Sequence, residues 1–216
     1  MGFARAVIRV SIALSAVVGL GISPTASANP TRAADSSETT SFVVHAAIHR
    51  IVIDVKAGEI SVTSTDRRNV SVRLTKKWMF SEPQSRRYVR NGVLHLEGRC
   101  RHGVLCATNF TVAAPPSVAV AVRADAAKIE VHGLADNVSI ANDLGDLTVS
   151  LSRRPHSISA KGQVGDVHIA VPRGIYALEL HAGLGDEQVH GVTHSDRAKR
   201  VISATTKVGD ITLEGR

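Results

Sequence analysis

Four carboxylates in the second half of the chain recur in one local setting and at regular spacing. Each follows an aliphatic residue and a glycine and precedes a short β-type run, in the pairs Gly145-Asp146, Gly165-Asp166, Gly185-Asp186 and Gly209-Asp210. The pairs are 20, 20 and 24 residues apart. If these units stack in register, the Asp side chains lie about 4.8 Å apart along one edge.

Two kinds of chemistry fit such a row of carboxylates. Asp accepts hydrogen bonds from nearby backbone N–H groups and so builds turns, and Gly supplies backbone angles that other residues avoid at tight corners. Alternatively, Ca²⁺ would bridge the row, but it takes about six to eight oxygen ligands and one Asp per unit supplies too few. We therefore predict a turn ladder, with no metal site and no cofactor.

The first 28 residues have the order of an export signal. Arg5 and Arg9 precede an apolar stretch at 10–22, which is followed by the small-residue pattern Ala26-Ser27-Ala28. This order predicts a signal peptide at 1–28. Its apolar core of 13 residues is shorter than the roughly 20 that span a bilayer, and an uncleaved anchor is the alternative. We expect a secreted, extracytoplasmic protein with a flexible lead-in at 29–41 and one domain at 42–216.

The two cysteines, Cys100 and Cys106, are separated by five residues. In an exported protein this pair predicts a disulfide that closes a small loop. A zinc site made with His102 is the alternative, but it would have three ligands where structural zinc takes four.

A basic segment lies between Arg67 and Arg101. It holds ten Lys or Arg against two Glu, a local charge of +8, whereas the chain without its two signal arginines is +5 overall and the remainder is therefore −3. Apolar residues ringed by cations can enter a lipid interface or grip an anionic polymer. The predicted patch comprises Lys76, Lys77, Trp78, Arg86, Arg87 and Arg90.

The partner of this patch would be an anionic cell-envelope polymer or a membrane surface. A solubilising surface without a partner is the alternative, with Trp78 covering one end of the repeat array. Nucleic acid is not expected, because single-strand binding uses more stacking aromatics than this chain contains.

The elements that must position these residues are strands. Aliphatic residues alternate with polar ones along most of the chain, which is typical of half-buried strands, and further strands are predicted at 157–160, 177–181 and 201–205. Segment 78–88 breaks the alternation and contains Pro83, so we expect a loop there, followed by a hairpin turn at Asn91-Gly92.

A repeat of about 20 residues predicts an all-β fold, a β-solenoid or β-helix-like coil of stacked, mostly parallel short strands. Successive units would bring Val149, Ile169 and Leu213 together inside. Glu187 occupies the place that aliphatic residues fill in the sister units, and an inward charge is costly unless paired. Because the next interval is 24 residues instead of 20, we expect the corner to be locally distorted here. Gly58-Glu59 and Ala127-Lys128 are irregular versions of the same corner.

Catalytic signatures are missing from the sequence. It has no Gly-x-Ser-x-Gly elbow, no phosphate-binding loop and no His-Glu-x-x-His motif. We therefore expect no catalytic residues and a non-enzymatic binding module, and we interpret His190 and Glu214 as a solvated surface pair. The alternatives are a carbohydrate-active β-helix enzyme and a structural or sensory module of an envelope-stress system.

The repeat units at 58–62, 145–149, 165–169 and 208–213 resemble those of the bacterial putative-adhesin family, as does the segment with Leu94-His95-Leu96, the two cysteines, Phe110-Thr111-Val112 and Pro116. The resemblance covers about residues 42–216. It implies an envelope-associated β-strand-repeat domain of unknown activity, without established catalytic residues or a cofactor.

Overall fold

The computed structural model describes residues 36–100, 105–133 and 137–216, which belong to one unit at Ala33–Arg216. These residues form sixteen strands and no helix that could cross a membrane. The predicted signal peptide at 1–28 and residues 29–35 of the lead-in lie outside the described residues. The strands are β1 Ser36–Val44, β2 Arg50–Ser64, β3 Val70–Trp78, β4 Gln84–Arg90, β5 Val93–Arg99, β6 Cys106–Ala114, β7 Ala119–His132, β8 Val138–Leu144, β9 Leu147–Ser150, β10 Ser157–Val164, β11 Val167–Val171, β12 Ile175–Leu184, β13 Glu187–His190, β14 Thr193–His194, β15 Val201–Val208 and β16 Ile211–Gly215.

Strand pairing arranges these elements in two series. The first series runs β4, β5, residues 50–55 of β2, residues 119–126 of β7, β8, β10, β15, β12 and β14. The second runs β1, β3, β6, residues 60–64 of β2, residues 129–132 of β7, β9, β11, β16 and β13. The long strands β2 and β7 belong to both series. All pairs are parallel except β1–β3, β3–β6 and β4–β5. The all-β and mostly parallel architecture is as the sequence predicts.

Alternation along the strands builds the core. In β2, Ile51, Ile53 and Val55 are buried while Val52 and Asp54 between them are half-buried, and the same period continues at Ile60 and Val62. Buried residues of both series belong to one hydrophobic cluster. Because side chains on a strand point alternately to opposite faces, each unit contributes aliphatic residues to this cluster and polar residues to the outside.

The units do not stack in the order of the sequence. Ile169 is paired with Val149 on one side and with Leu213 on the other, and Leu213 is then paired with Val189. The last unit, β15–β16, is therefore inserted between the unit β10–β11 and the unit β12–β13, where consecutive stacking would place it at the end. The ten residues at 191–200, which include β14, connect β13 to β15 and make this return possible.

Two segments differ from the predicted strand pattern. Residues 36–41, expected in the lead-in, form the start of β1, which pairs with β3. Within 78–88, expected to be a loop, residues 84–88 lie in β4, which forms a hairpin with β5 across Asn91-Gly92. Both turn residues have positive φ, 50° and 70°, as the tight hairpin turn signalled by Asn-Gly requires.

Candidate functional site

The Gly-Asp corners form a continuous hydrogen-bonded row. The Asp166 N–H donates to the Asp146 carboxylate at 3.0 Å, the Asp210 N–H to Asp166 at 2.9 Å, and the Asp186 N–H to Asp210 at 2.8 Å. The order of the row is thus 146, 166, 210 and 186, which follows the inserted last unit. Each bond offsets the repulsion between neighbouring carboxylates, because hydrogen bonding to the charged form favours it.

The irregular corners occupy the same row. Gly58 is paired with Ala127 and Glu59 with Lys128, and the Glu59 N–H donates to the Asn109 side-chain oxygen at 3.0 Å. The Asn109 side-chain oxygen from β6 therefore accepts a backbone N–H at the first corner, as the Asp carboxylates do at the later corners. Among the described residues, no group of three or more His, Cys, Asp or Glu side chains could hold a metal ion.

At the four Gly-Asp corners, glycine is required by close backbone approach as well as by φ. A Cβ added to Gly165, where φ is +134°, would lie 2.5 Å from the Gly145 carbonyl oxygen. Side chains cannot occupy that space, and L-residues rarely adopt that φ. The Gly-Asp unit is thus a device for packing corners directly upon one another.

Two buried polar residues satisfy the inside of the corners, and the sequence pattern did not single them out. The Asn142 amide donates to the carbonyls of Ala127, Leu144 and Gly145 at 2.8–3.0 Å, and the Thr206 hydroxyl donates to Gly165 at 3.0 Å. Corner carbonyls turned inward would otherwise lack donors, and such groups are expensive to bury unpaired. Their signal was a polar residue two positions before the aliphatic-Gly-Asp triplet, which two of the four triplets have, whereas Gly162 and Ala182 occupy this position in the other two.

An aliphatic ridge lies beside the Asp row on the outside. The residue before each Gly-Asp pair is exposed, by 54% for Leu144, 45% for Val164, 43% for Val208 and 71% for Leu184. These side chains are consecutive partners in the strand register. The ridge is therefore a surface feature, although its residues are as apolar as those of the core.

The predicted basic patch is distributed over several places. Lys76 is largely screened, because it pairs with Glu82 at 2.6 Å and with Glu38 at 3.4 Å. The hydrogen bond to Glu82 raises the pKa of Lys76 above its ordinary value, and the same contact lowers the pKa of Glu82. Arg90 ends β4 opposite Val93. The positive charge of the predicted patch that no carboxylate screens therefore resides chiefly on its members other than Lys76.

Arg86 and Arg87 flank a cleft at one end of the core. The cleft, about 240 Å³, is lined by apolar Phe42, Leu74 and Phe110 together with Lys76 and both arginines. The Arg87 guanidinium lies 4.1 Å from the centre of the Phe42 ring, a cation–π contact that joins β4 to β1. Outside, Tyr88 stacks on His95 at 4.5 Å. This arrangement places cations around an apolar opening.

Lys77 and Trp78 border a second cavity, about 450 Å³, that also contacts Leu105 and Cys106. The predicted disulfide between Cys100 and Cys106 is present and adjoins this cavity. Residues 101–104 of the loop that it closes are outside the described ranges. Trp78 is half-buried at the end of β3, opposite Ser36 and Cys106.

The predicted surface pair and the anomalous glutamate have structural explanations. His190 lies opposite Glu214 in the register, but Glu214 is closer to Arg216, at 3.4 Å, and to His168, at 4.0 Å. Glu187 keeps the regular register with Ile211, is exposed, and accepts a hydrogen bond from the Ala182 N–H at 2.8 Å. The corner before it is not distorted, because its unit is the last of the stack and Glu187 has no core to enter.

Displaced pKa values elsewhere also have structural causes. The hydrogen bond between Lys128 and Glu130 raises the pKa of the lysine and lowers that of the glutamate. Burial raises the pKa of Tyr176, whose hydroxyl donates to the Pro172 carbonyl at 2.7 Å. These groups are surface ion pairs and a packed tyrosine.

No family model and no curated protein matches the chain. Among solved structures it is similar to a putative cell adhesion protein from Clostridium sporogenes, at 11% identity and a TM-score of 0.65, over 84% of this chain and 100% of that one. It is also similar to a putative adhesin from Bacteroides fragilis, at 13% identity and a TM-score of 0.39, over 83% and 97% of the two chains. The first of these likenesses shows a shared fold.

Proposed function

We propose that this chain is an exported, non-enzymatic binding module of the putative-adhesin family, built as a β-solenoid-like coil. In this proposal the β4 end of the coil binds an anionic cell-envelope polymer or membrane surface. The regular parallel register of the Gly-Asp units and their single core support the coil. The fold shared with the Clostridium protein supports the family assignment.

The observation that carries the binding proposal is the composition of β4. Arg86, Arg87 and Arg90 lie on a seven-residue strand that has no carboxylate and that, among the strands the structure describes, is paired on one edge only. All three are exposed. Glu97 on β5 lies opposite Arg86, which leaves an excess of positive charge at this end. Guanidinium groups suit phosphate and carboxylate ligands because their donors form a planar fork.

The apolar cleft beside these arginines adds a second contact. Half-buried Phe42 would contact the hydrocarbon part of an anionic amphiphile while Arg86 binds its headgroup, and Leu74 and Phe110, which are 8% and 2% exposed, would form the floor of the cleft. A soluble polymer would engage the arginines without the cleft. The two sources of anion are therefore separable by experiment.

The test measures binding of the full chain to vesicles that contain phosphatidylglycerol and, separately, to soluble poly(glycerol phosphate). Affinity should fall as salt rises, since exposed charges are screened over about 10 Å at 0.1 M ionic strength. Replacing Arg86, Arg87 and Arg90 with Gln should weaken vesicle binding about 100-fold, from about 1 kcal/mol for each cation near an anionic surface.

The matched control replaces Arg197, Lys199 and Arg200 with Gln. These three cations are also exposed, so the change in net charge is identical while β4 is untouched. Equal losses for the two triple variants would show a general charge effect and would overturn the proposal, as would binding that ignores salt. Tight binding to the polymer alone would assign the site to wall polymer and leave the cleft without a role.

A further inference from the structure

The unit β12–β13 is the last of the stack, and most of its outer edge has no strand partner among the described residues. Within 36–100, 105–133 and 137–216, strand β13 is paired only with β16, and β12 is paired with β15 and, over Ile175 and Tyr176 alone, with β14. We call the unpaired edges of β12 at 177–184 and of β13 the tail edge. At the opposite end of the stack, the parallel units are covered by the antiparallel strands β1, β3 and β4.

Hydrogen bonds that repeat through the stack are left incomplete at the tail edge. The residue after each Asp donates to the Asp carbonyl of the next unit, at 2.9 Å from Leu147 to Asp166, 2.8 Å from Val167 to Asp210 and 2.9 Å from Ile211 to Asp186. Glu187 is the equivalent donor of the last unit, and no described residue supplies its acceptor.

In the described part of the chain, the Gly-Asp corner of the last unit also lacks hydrogen bonds that the other corners make. The Gly145, Gly165 and Gly209 N–H groups each donate to a carbonyl of the next unit at 2.9 Å. Among the described residues, the Gly185 N–H has no such carbonyl and the Asp186 carboxylate has no following N–H. Side chains cover part of the edge, since the Leu178 N–H donates to His194 and the Ala182 N–H to Glu187.

Core positions are open at the same edge. Val189 continues the column of Val149, Ile169 and Leu213, yet it is 41% exposed where those three are buried. Leu178 and Leu180 pack against the core but are only half-buried. Unpaired strand edges with uncovered apolar residues are templates for pairing with another chain.

The charge of the tail edge indicates which partner it would bind. Residues 175–190 contain Glu179, Asp186 and Glu187 and no Lys or Arg, a formal charge of −3, whereas β4 carries three arginines and no acid. Within the described residues, segment 195–200, with a net charge of +2, adjoins β12 only at its start, at Tyr176 and Ala177. Two tail edges would repel each other, but a tail edge and the β4 end of another copy attract. We propose that the tail edge binds the β4 end of a second copy of this chain, in a head-to-tail contact that can extend to longer assemblies.

Sedimentation of the full chain over a concentration series tests the contact. The wild type should associate progressively at concentrations up to about 1 mM, and less so at high salt. Val189→Lys places a cation on the tail edge, and Val89→Glu places an anion on the β4 edge, where Val89 is 42% exposed. Each variant should weaken association at least about tenfold.

Mixing the two blocked variants gives the decisive result. The intact β4 end of the Val189→Lys variant can bind the intact tail edge of the Val89→Glu variant. The mixture should therefore form dimers that grow no further. Circular dichroism melts check that both variants are folded, and neither change removes an arginine proposed to bind anions. A wild type that stays monomeric overturns the proposal. So does Val89→Glu that still dimerises while Val189→Lys does not, which would mean tail-to-tail contact.

Discussion

Replacing Asp166 separates the two roles that its carboxylate plays in the corner row. It accepts the Asp210 N–H at 2.9 Å, and it lies between Asp146 and Asp210 in the stack. Asp166→Ala removes both the acceptor and the charge. Asp166→Asn removes the charge but keeps an oxygen acceptor of the same size. The difference between the two variants therefore measures the hydrogen bond alone.

The magnitudes follow from the geometry. A backbone N–H to side-chain hydrogen bond contributes about 0.5–1.5 kcal/mol net. Two carboxylates about 4.8 Å apart repel by roughly 1 kcal/mol in water before screening. We expect Asp166→Asn to be neutral or stabilising at low salt, and Asp166→Ala to be less stable than Asp166→Asn by about 1 kcal/mol.

Asp186 provides the matched control, because it ends the row and no described residue donates to its carboxylate. Asp186→Ala and Asp186→Asn should therefore have the same stability. Urea unfolding of the four variants, followed by circular dichroism, gives the free energies of unfolding. Equal stability of Asp166→Ala and Asp166→Asn would refute the hydrogen-bonded ladder. A loss for Asp166→Asn, together with a wild-type midpoint that falls on adding a chelator, would show cation binding instead.

Three further predictions concern the corners and the core. Gly165→Ala should cost more than about 1 kcal/mol of stability, because φ is +134° and the new Cβ meets the Gly145 carbonyl. The control Gly162→Ala should be tolerated, because its Cβ would meet its nearest atom at 3.5 Å. Equal urea midpoints of the two variants would contradict this. Asn142→Asp should destabilise the protein more than Asn142→Ala at pH 7, because a carboxylate would face three carbonyls. At acidic pH, where the carboxyl group is protonated, Asn142→Asp should destabilise the protein less than at pH 7. Thermal melting of both variants at the two pH values tests this. Burial raises the pKa of Tyr176 above 10.0, so its contribution to the stability of the fold is complete below pH 10.0 and is lost as pH rises through the folded-state pKa. Tyr176→Phe should cost about 1 kcal/mol of stability at pH 7 and should reduce the loss of stability at alkaline pH. An unchanged dependence of stability on alkaline pH would contradict the assignment.

The sequence predicts the local elements well where the alternation is strong. Leu147, Val149, Val167 and Ile169 were expected inside, and their strands and register are confirmed. Each unit repeats one aliphatic pattern, and that pattern is sufficient to specify a half-buried strand. It does not say which unit is the neighbour, because every unit offers the same partner face.

The order of the units therefore could not be predicted. The 24-residue interval indicates extra chain before the last unit, but its length alone does not reveal that β15–β16 returns between two earlier units. Glu187 held the better clue. An unpaired charge at a core position is costly inside the stack and is tolerated where the core ends, which is where its unit lies.

The candidate site was predicted only in composition. Strand β4 has polar residues on both faces, so no alternation announces it, and its pairing with β5 depends on the Asn91-Gly92 turn and on the open edge of β5. Lys76 belongs to the predicted cationic patch by sequence, but its charge is screened by Glu38, which the β1–β3 pairing places opposite it, and by Glu82, six residues later in the segment between β3 and β4.

Paired cysteines on the outer face test the inserted unit most directly, since the corner row and the tail edge both depend on it. His168 and Thr212 are register neighbours, as are Thr212 and Gln188, whereas His168 and Gln188 are two strands apart. Neighbouring strands bring Cα atoms to about 4.8 Å, within the roughly 4.4–6.8 Å that a disulfide spans, and two strand spacings exceed it. Under mild oxidation, the pair made by His168→Cys and Thr212→Cys should therefore crosslink, and the pair made by His168→Cys and Gln188→Cys should not. Crosslinking of the second pair without the first would mean that the units stack in sequence order.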